Sequence, residues 1–143
     1  QLISTGIDVA DISQRIFDTL SIEKVKLMGM AINSLELFGD GKIAFITVTE
    51  NMMRESGARE DECNGLVNIG RNIKGVIVAA MFNEIADKGI RVNLRTNANV
   101  DVSAIAKSYS GGGHKKAAGC TIEGDLVQVK QKILEDIIVM IGL

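Results

Sequence analysis

Gly111-Gly112-Gly113-His114-Lys115-Lys116-Ala117-Ala118-Gly119 is the stretch on which the reading of this 143-residue chain turns. Three consecutive glycines let a backbone bend tightly and approach another group with no Cβ in the way. His114, the only histidine, follows at once, then two lysines, two alanines suited to a short helix over 114–118, and a closing glycine. Backbone N–H groups converging on one point, a helix N-terminus behind them and cationic side chains beside them make a seat for an anion. Three glycines alone are more often a flexible loop, and a lone histidine is more often structural. Their adjacency to each other and to two lysines favours anion binding.

The charge around this stretch points the same way. Residues 88–119 carry six Lys/Arg (Lys88, Arg91, Arg95, Lys107, Lys115, Lys116) against the single acid Asp101, whereas residues 1–62 carry six against eleven acids, for a net charge of −2 overall. A basic segment embedding a glycine loop suits a polyanionic ligand. In Ile90–Thr96, strand alternation sets Val92 and Leu94 on one face and Arg91, Asn93 and Arg95 on the other. Arg95 is the candidate for a bidentate phosphate contact. Asn68, polar in the apolar run Val67-Asn68-Ile69, is a weaker candidate.

Composition sets the frame. A chain of this length can bury roughly 70% of the surface its unfolded form exposes, enough for one domain without a staple. Hydrophobic residues make up 46% and aromatic residues 3%, so Leu, Ile, Val and Met build the core. No apolar run approaches the ~20 residues of a membrane span, which excludes a helical membrane protein and a membrane partner. Cys63 and Cys120 are expected as reduced thiols, consistent with a cytoplasmic protein. The chain begins at Gln1 and runs straight into a helical pattern, the mark of a piece of a longer protein.

The catalytic inventory is thin. Phosphodiester hydrolysis calls for a two-metal site with several Asp/His ligands or an activated nucleophile with a base. One histidine, and no Asp-x-Asp pair or Cys/His arrangement at ligand spacing, assembles neither, so no catalytic residue and no metal ligand is assigned. Glu60-Asp61-Glu62 suits the first turn of a helix better than a metal.

Apolar periodicity and capping residues predict helices over Asp8–Leu20 and from Ser21 to about Phe38, a strand over Lys42–Thr49, and a short helix or turn over Asn51–Ser56 closed by Gly57. An acid-led helix is expected from Glu60 to about Ile73. Strands follow over Val76–Glu84 and Ile90–Thr96, joined as a hairpin around Ala86-Asp87-Lys88-Gly89. Asp101 caps a short helix, Cys120–Glu123 reads as an edge strand, and a last helix covers about Asp125 to Ile141. The fold class is α/β, a mixed sheet of about five strands flanked by helices.

Residues 91–122, R-V-N-L-R-T-N-A-N-V-D-V-S-A-I-A-K-S-Y-S-G-G-G-H-K-K-A-A-G-C-T-I, resemble the C-terminal DHH-associated domain of DHH-family phosphoesterases, above all the oligoribonuclease (nanoRNase) and phosphoadenosine-phosphate phosphatase group. Residues 60–84, E-D-E-C-N-G-L-V-N-I-G-R-N-I-K-G-V-I-V-A-A-M-F-N-E, fit the same family's acid-led helix and following strand. The first two helices resemble the connector between lobes, giving a connector over 1–38 and a DHH-associated substrate-binding domain over 39–143. The resemblance implies that Arg95, Gly111, Gly112, Gly113 and His114 contact substrate, with Asn68 and Ala118 as weaker transfers. It also implies two manganese ions in an N-terminal catalytic lobe, with no cofactor held by this chain, which is expected to be inactive by itself. The implied ligand is a short RNA or DNA oligonucleotide or a small nucleotide phosphate; a homodimer stays open. Two departures stand out: Ser110 replaces a frequent fourth glycine, and Thr96 a common serine. A non-catalytic RNA-binding module, as in alanyl-tRNA synthetase, the equivalent domain of a single-strand-specific exonuclease, and a purely structural domain are the alternatives.

Overall fold

The computed structural model describes residues 19–143. The helix expected over Asp8–Leu20 therefore lies, but for its last two residues, outside the described part.

Helix α1 (Ile22–Asn33) starts where Ser21 Oγ accepts from Lys24 N at 3.0 Å. It stops short of Phe38. Ser34 Oγ donates to Ala31 O at 2.6 Å and accepts from Thr47 N at 2.9 Å, which ties the helix end to the sheet. Glu36–Phe38 then runs as strand β1, antiparallel to β2 (Ile43–Val48). The helical spacing of Leu35 and its neighbours misleads here because the Phe38 ring packs edge-on against Phe45, 5.0 Å between centroids.

Helix α2 (Glu50–Ser56) is capped by Thr49, whose Oγ1 accepts from Met52 N at 3.1 Å, and Gly57 closes it. The single acid-led helix expected to Ile73 is two pieces. A 3-10 turn over Glu60–Cys63 and helix α3 (Val67–Arg71) are separated at Gly65, whose φ of +86° no right-handed helix accommodates. Strands β3 (Val78–Ile85) and β4 (Gly89–Thr96) form the expected hairpin. Helix α4 (Ser103–Ser108) follows, with the Asp101 carboxylate accepting from Ser103 N at 3.0 Å and Ser103 Oγ at 2.5 Å; that hydrogen bonding holds it below the usual aspartate range.

The largest correction concerns 114–118, where no helix forms. β5 (Gly112–His114) and β6 (Ala117–Ile122) make a hairpin that turns at Lys115-Lys116. Ala117 and Ala118 pair with Arg95 and Leu94 of β4, and six strand pairings outweigh the modest helix preference of two alanines. The strand expected as an edge at 120–123 is thus longer and interior, and β5 is the edge. Helix α5 (Leu126–Ile141) starts where Asp125 accepts from Gln128 N at 2.8 Å.

The sheet has six strands, one more than expected, in the order β1-β2-β3-β4-β6-β5, with β2 and β3 parallel and the other pairs antiparallel. A parallel pair needs a long crossover, and α2, the 3-10 turn and α3 supply it. On one face, Val102, Ile105 and Ala106 of α4 and Val129, Ile133 and Ile137 of α5 close over Phe45, Phe82, Val92, Leu94 and Cys120. Tyr109 ties these helices together by donating to Asp136 Oδ2 at 2.5 Å; burial and the facing carboxylate push its phenol up to about 12. On the other face, Leu27 and Ala31 of α1, Cys63, and Leu66 and Val67 cover Ala44, Ile46, Val48, Ala79 and Met81. Each fully buried Leu, Ile or Phe contributes roughly 1.5–3 kcal/mol to these layers. Both cysteines are free and lie in the two opposite layers, so they cannot pair. Among the described residues no helix is long and apolar enough to cross a membrane.

The apolar packing of this second layer ends at β3. Helix α3 reaches over β4, and among the described residues no apolar layer covers the same face of β6 and β5.

Candidate functional site

Register decides what occupies the uncovered half-face. Asn93 pairs with Met81 and Gly119, and Gly119 pairs with Gly112; Arg95 pairs with Ala79 and Ala117, and Ala117 with His114. Side chains opposite each other across strands share a face. Arg95 and His114 therefore lie on one face with Ala117 between them, their backbones two strand spacings or roughly 10 Å apart. Lys115 and Lys116 turn the hairpin beside them, held by Asn99 Oδ1 at 2.9 Å and Asn97 O at 3.5 Å.

The glycines divide into two kinds. A Cβ on Gly111 would stand 2.2 Å from Gly119 O and 2.6 Å from Cys120 Cβ. One on Gly113, whose φ is +142°, would stand 2.6 Å from Ala117 O and Ala118 Cα. Both are required for β5 to lie against β6. A Cβ on Gly112 meets nothing within 4 Å. Gly112 thus leaves bare backbone over which a ligand can lie close to the sheet, and at its partner Gly119 the Asn93 side chain borders the strip, Oδ1 3.3 Å from where a Cβ would stand. Ser110 takes the left-handed conformation with φ +63°, which costs a non-glycine residue about 1–2 kcal/mol. Thr96, buried, donates from Oγ1 to Ile77 O at 2.6 Å and accepts from Ala98 N at 2.9 Å, a clip that any hydroxyl at this position can make.

Arg95 is partly buried. Its Nη1 donates to Leu94 O, the carbonyl of its neighbour, at 2.8 Å. Burial, and then the charge of Arg71, lower its pKa. His114 is exposed. Asn68, on α3, has a buried Oδ1 with no hydrogen-bond partner. Ala118 does not join them: it is 5% exposed and its methyl packs into the opposite layer. Toward the other end of the same face lies a cavity of about 390 Å³ walled by Glu60, Asp61, Asn64, Asn83, Arg91 and Asn93.

Two parts of this surface were not legible as site residues in the sequence. The cavity depends on the 3-10 turn standing over β3 and β4. Arg71 depends on α3 lying against the sheet, for which the small residues Gly70, Ala44 and Ala79 were the available sign. Among the described residues no three His, Cys, Asp or Glu side chains are grouped to hold a metal ion. Chemically the surface can hold an anion by guanidinium, imidazole and backbone groups, and pack a flat group on bare backbone.

Comparison with known proteins places this surface in context. Over 137 residues the chain is 29% identical to a bifunctional oligoribonuclease and PAP phosphatase of Thermus thermophilus, covering 94% of this chain and 40% of that protein. It is 28% identical over 122 residues to the protein of the same description from Bacillus subtilis, covering 85% and 38%. The crystal structure of an exopolyphosphatase-related protein from Bacteroides fragilis superposes with a TM-score of 0.85 at 28% identity, covering 94% of this chain and 41% of that one. The chain thus spans about two fifths of the length of the curated relatives it matches. The model of the DHHA1 domain matches residues 40–141, from the turn before β2 to the end of α5, and the chain belongs to that family.

Proposed function

We propose that this domain is the substrate-holding lobe of a DHH-family phosphoesterase that hydrolyses phosphoester bonds in short oligoribonucleotides or small nucleotides. The observation that carries the reading is the uncovered half-face, where Arg95, His114 and the bare strip at Gly112 and Gly119 face the same way. The names of the relatives, which describe action on oligoribonucleotides and PAP, support the substrate class.

In this reading Arg95 and His114 hold the substrate phosphate. The adjoining sugar or base lies on the strip between Gly112 and Gly119. Holding the substrate at a fixed point orients the scissile bond toward the catalytic lobe, and such positioning accounts for a large share of a hydrolase's rate. The manganese pair, when bound in that lobe, supplies an activated water. This chain's own residues bind and orient. The alternatives in which the domain is a general RNA-binding module predict affinity for structured RNA that falls steeply with salt. The described residues give little support to that: an excess of basic over acidic residues is confined to 88–119, and the lone tyrosine donates to Asp136 of α5.

The test is a substrate series with the full-length enzyme. Ribo-oligonucleotides of two to five residues with a terminal phosphate are expected to turn over at least tenfold more efficiently than 20-residue single strands, because the site is one short strip. Equal efficiency along the series, or tight binding of structured RNA without turnover, would contradict the reading.

A further inference from the structure

The seating of α3 carries Arg71 toward the face that holds Arg95. A Cβ on Gly70 would lie 3.2 Å from Ala44 Cβ and 3.3 Å from Ala79 Cβ, so α3 rests directly on the sheet at those two residues. Ala79 is the cross-strand partner of Arg95. Helix α3 reaches over β4 as well as β3, and the charge of Arg71, the residue after Gly70, bears on Arg95.

Neither guanidinium holds the fold together. Arg71 Nε donates to Asn72 Oδ1 at 3.2 Å and Arg95 Nη1 to Leu94 O at 2.8 Å; each acceptor belongs to the adjacent residue. Among the described residues neither takes part in an ion pair, whereas Arg54, Arg59 and Lys130 each have an acid. Two like charges, both partly buried and uncompensated, disfavour the empty site. A polyanionic ligand seated between α3 and β4 compensates both guanidinium charges.

We infer that Arg71 and Arg95 form a two-guanidinium clamp for a phosphomonoester dianion, so that the site prefers a terminal phosphate to an internal phosphodiester. The inference rests on the proposed function and deepens it. A phosphomonoester carries a charge near −2 above its second pKa of about 6, matching two guanidiniums, whereas a diester carries −1. The planar fork of arginine meets two phosphate oxygens at once, which a lysine at the same place does not.

The experiment is calorimetric titration of the full-length protein at pH 8 with EDTA present, using adenosine 5′-monophosphate and the methyl ester of its phosphate as probes. The wild type is expected to bind the monophosphate at least tenfold more tightly than the ester. R71Q is expected to lose about tenfold or more toward the monophosphate and under threefold toward the ester, R71K to recover only part of the loss, and both to melt like the wild type. Equal affinity of the wild type for both probes, or an R71Q that loses nothing or loses equally toward both, would overturn the clamp while leaving the Arg95 surface in place. A wild type that binds neither probe would overturn the proposed function and the clamp with it.

Discussion

Replacing Arg95 with alanine is expected to lower kcat/KM of the full-length enzyme by roughly ten- to a hundredfold, the equivalent of one charge-assisted hydrogen-bonding group worth about 1.5–3 kcal/mol. His114→Ala is expected to fall in the same range. The fold does not depend on either side chain: Arg95 bonds only to its neighbour's carbonyl, and His114 is exposed on the edge strand. Thermal unfolding of both variants should therefore match the wild type within a few degrees. Steady-state kinetics on a phosphorylated diribonucleotide provides the check, and wild-type kinetics for both variants would remove the site.

The second large effect separates glycines that are adjacent in sequence. Gly112→Val is expected to fold normally, because a Cβ there meets nothing within 4 Å and valine suits a strand. It should nonetheless lower kcat/KM about a hundredfold, since an isopropyl group on the bare strip lifts the ligand off the sheet, and displacements near 1 Å cost that much. Gly113→Val does the opposite. Its side chain would be driven to within 2.6 Å of Ala117 O at a φ of +142°, and overpacking plus backbone strain should cost at least about 3 kcal/mol of stability. Melting curves read beside kinetics distinguish the two. A Gly112→Val enzyme with full activity would mean that no ligand uses the strip.

Much of the fold could be read from local signals, and the exceptions have a common cause. Alternation in Ile90–Thr96, the apolar run of Lys42–Thr49, and the cap at Ser21 are written in neighbouring residues. Glu36–Phe38 and Ala117–Ile122 are strands because partners outside those segments pair with them: Ile43–Phe45 across a short turn in one case, β4 in the other. Helical spacing at Leu35 and helix-forming alanines at 117 and 118 were weaker than those pairings. The site shows the same division. That Arg91, Asn93 and Arg95 share a face follows from alternation alone. The separate duties of Gly111, Gly112 and Gly113, the withdrawal of Ala118 into the opposite layer, and the approach of Arg71 follow from register and helix seating, which no local pattern carries.

The central claim is that the uncovered half of the sheet receives the ligand, and amide chemical shifts read it residue by residue. On titration of the isotope-labelled protein with a phosphorylated diribonucleotide, the account predicts the largest shifts at Asn93, Arg95, Gly112, Gly113, His114, Ala117 and Gly119, with Arg71 and Asn68 following. Shifts confined to α4, α5 and the face beneath them, or scattered with no focus on β4, β5 and β6, would contradict it.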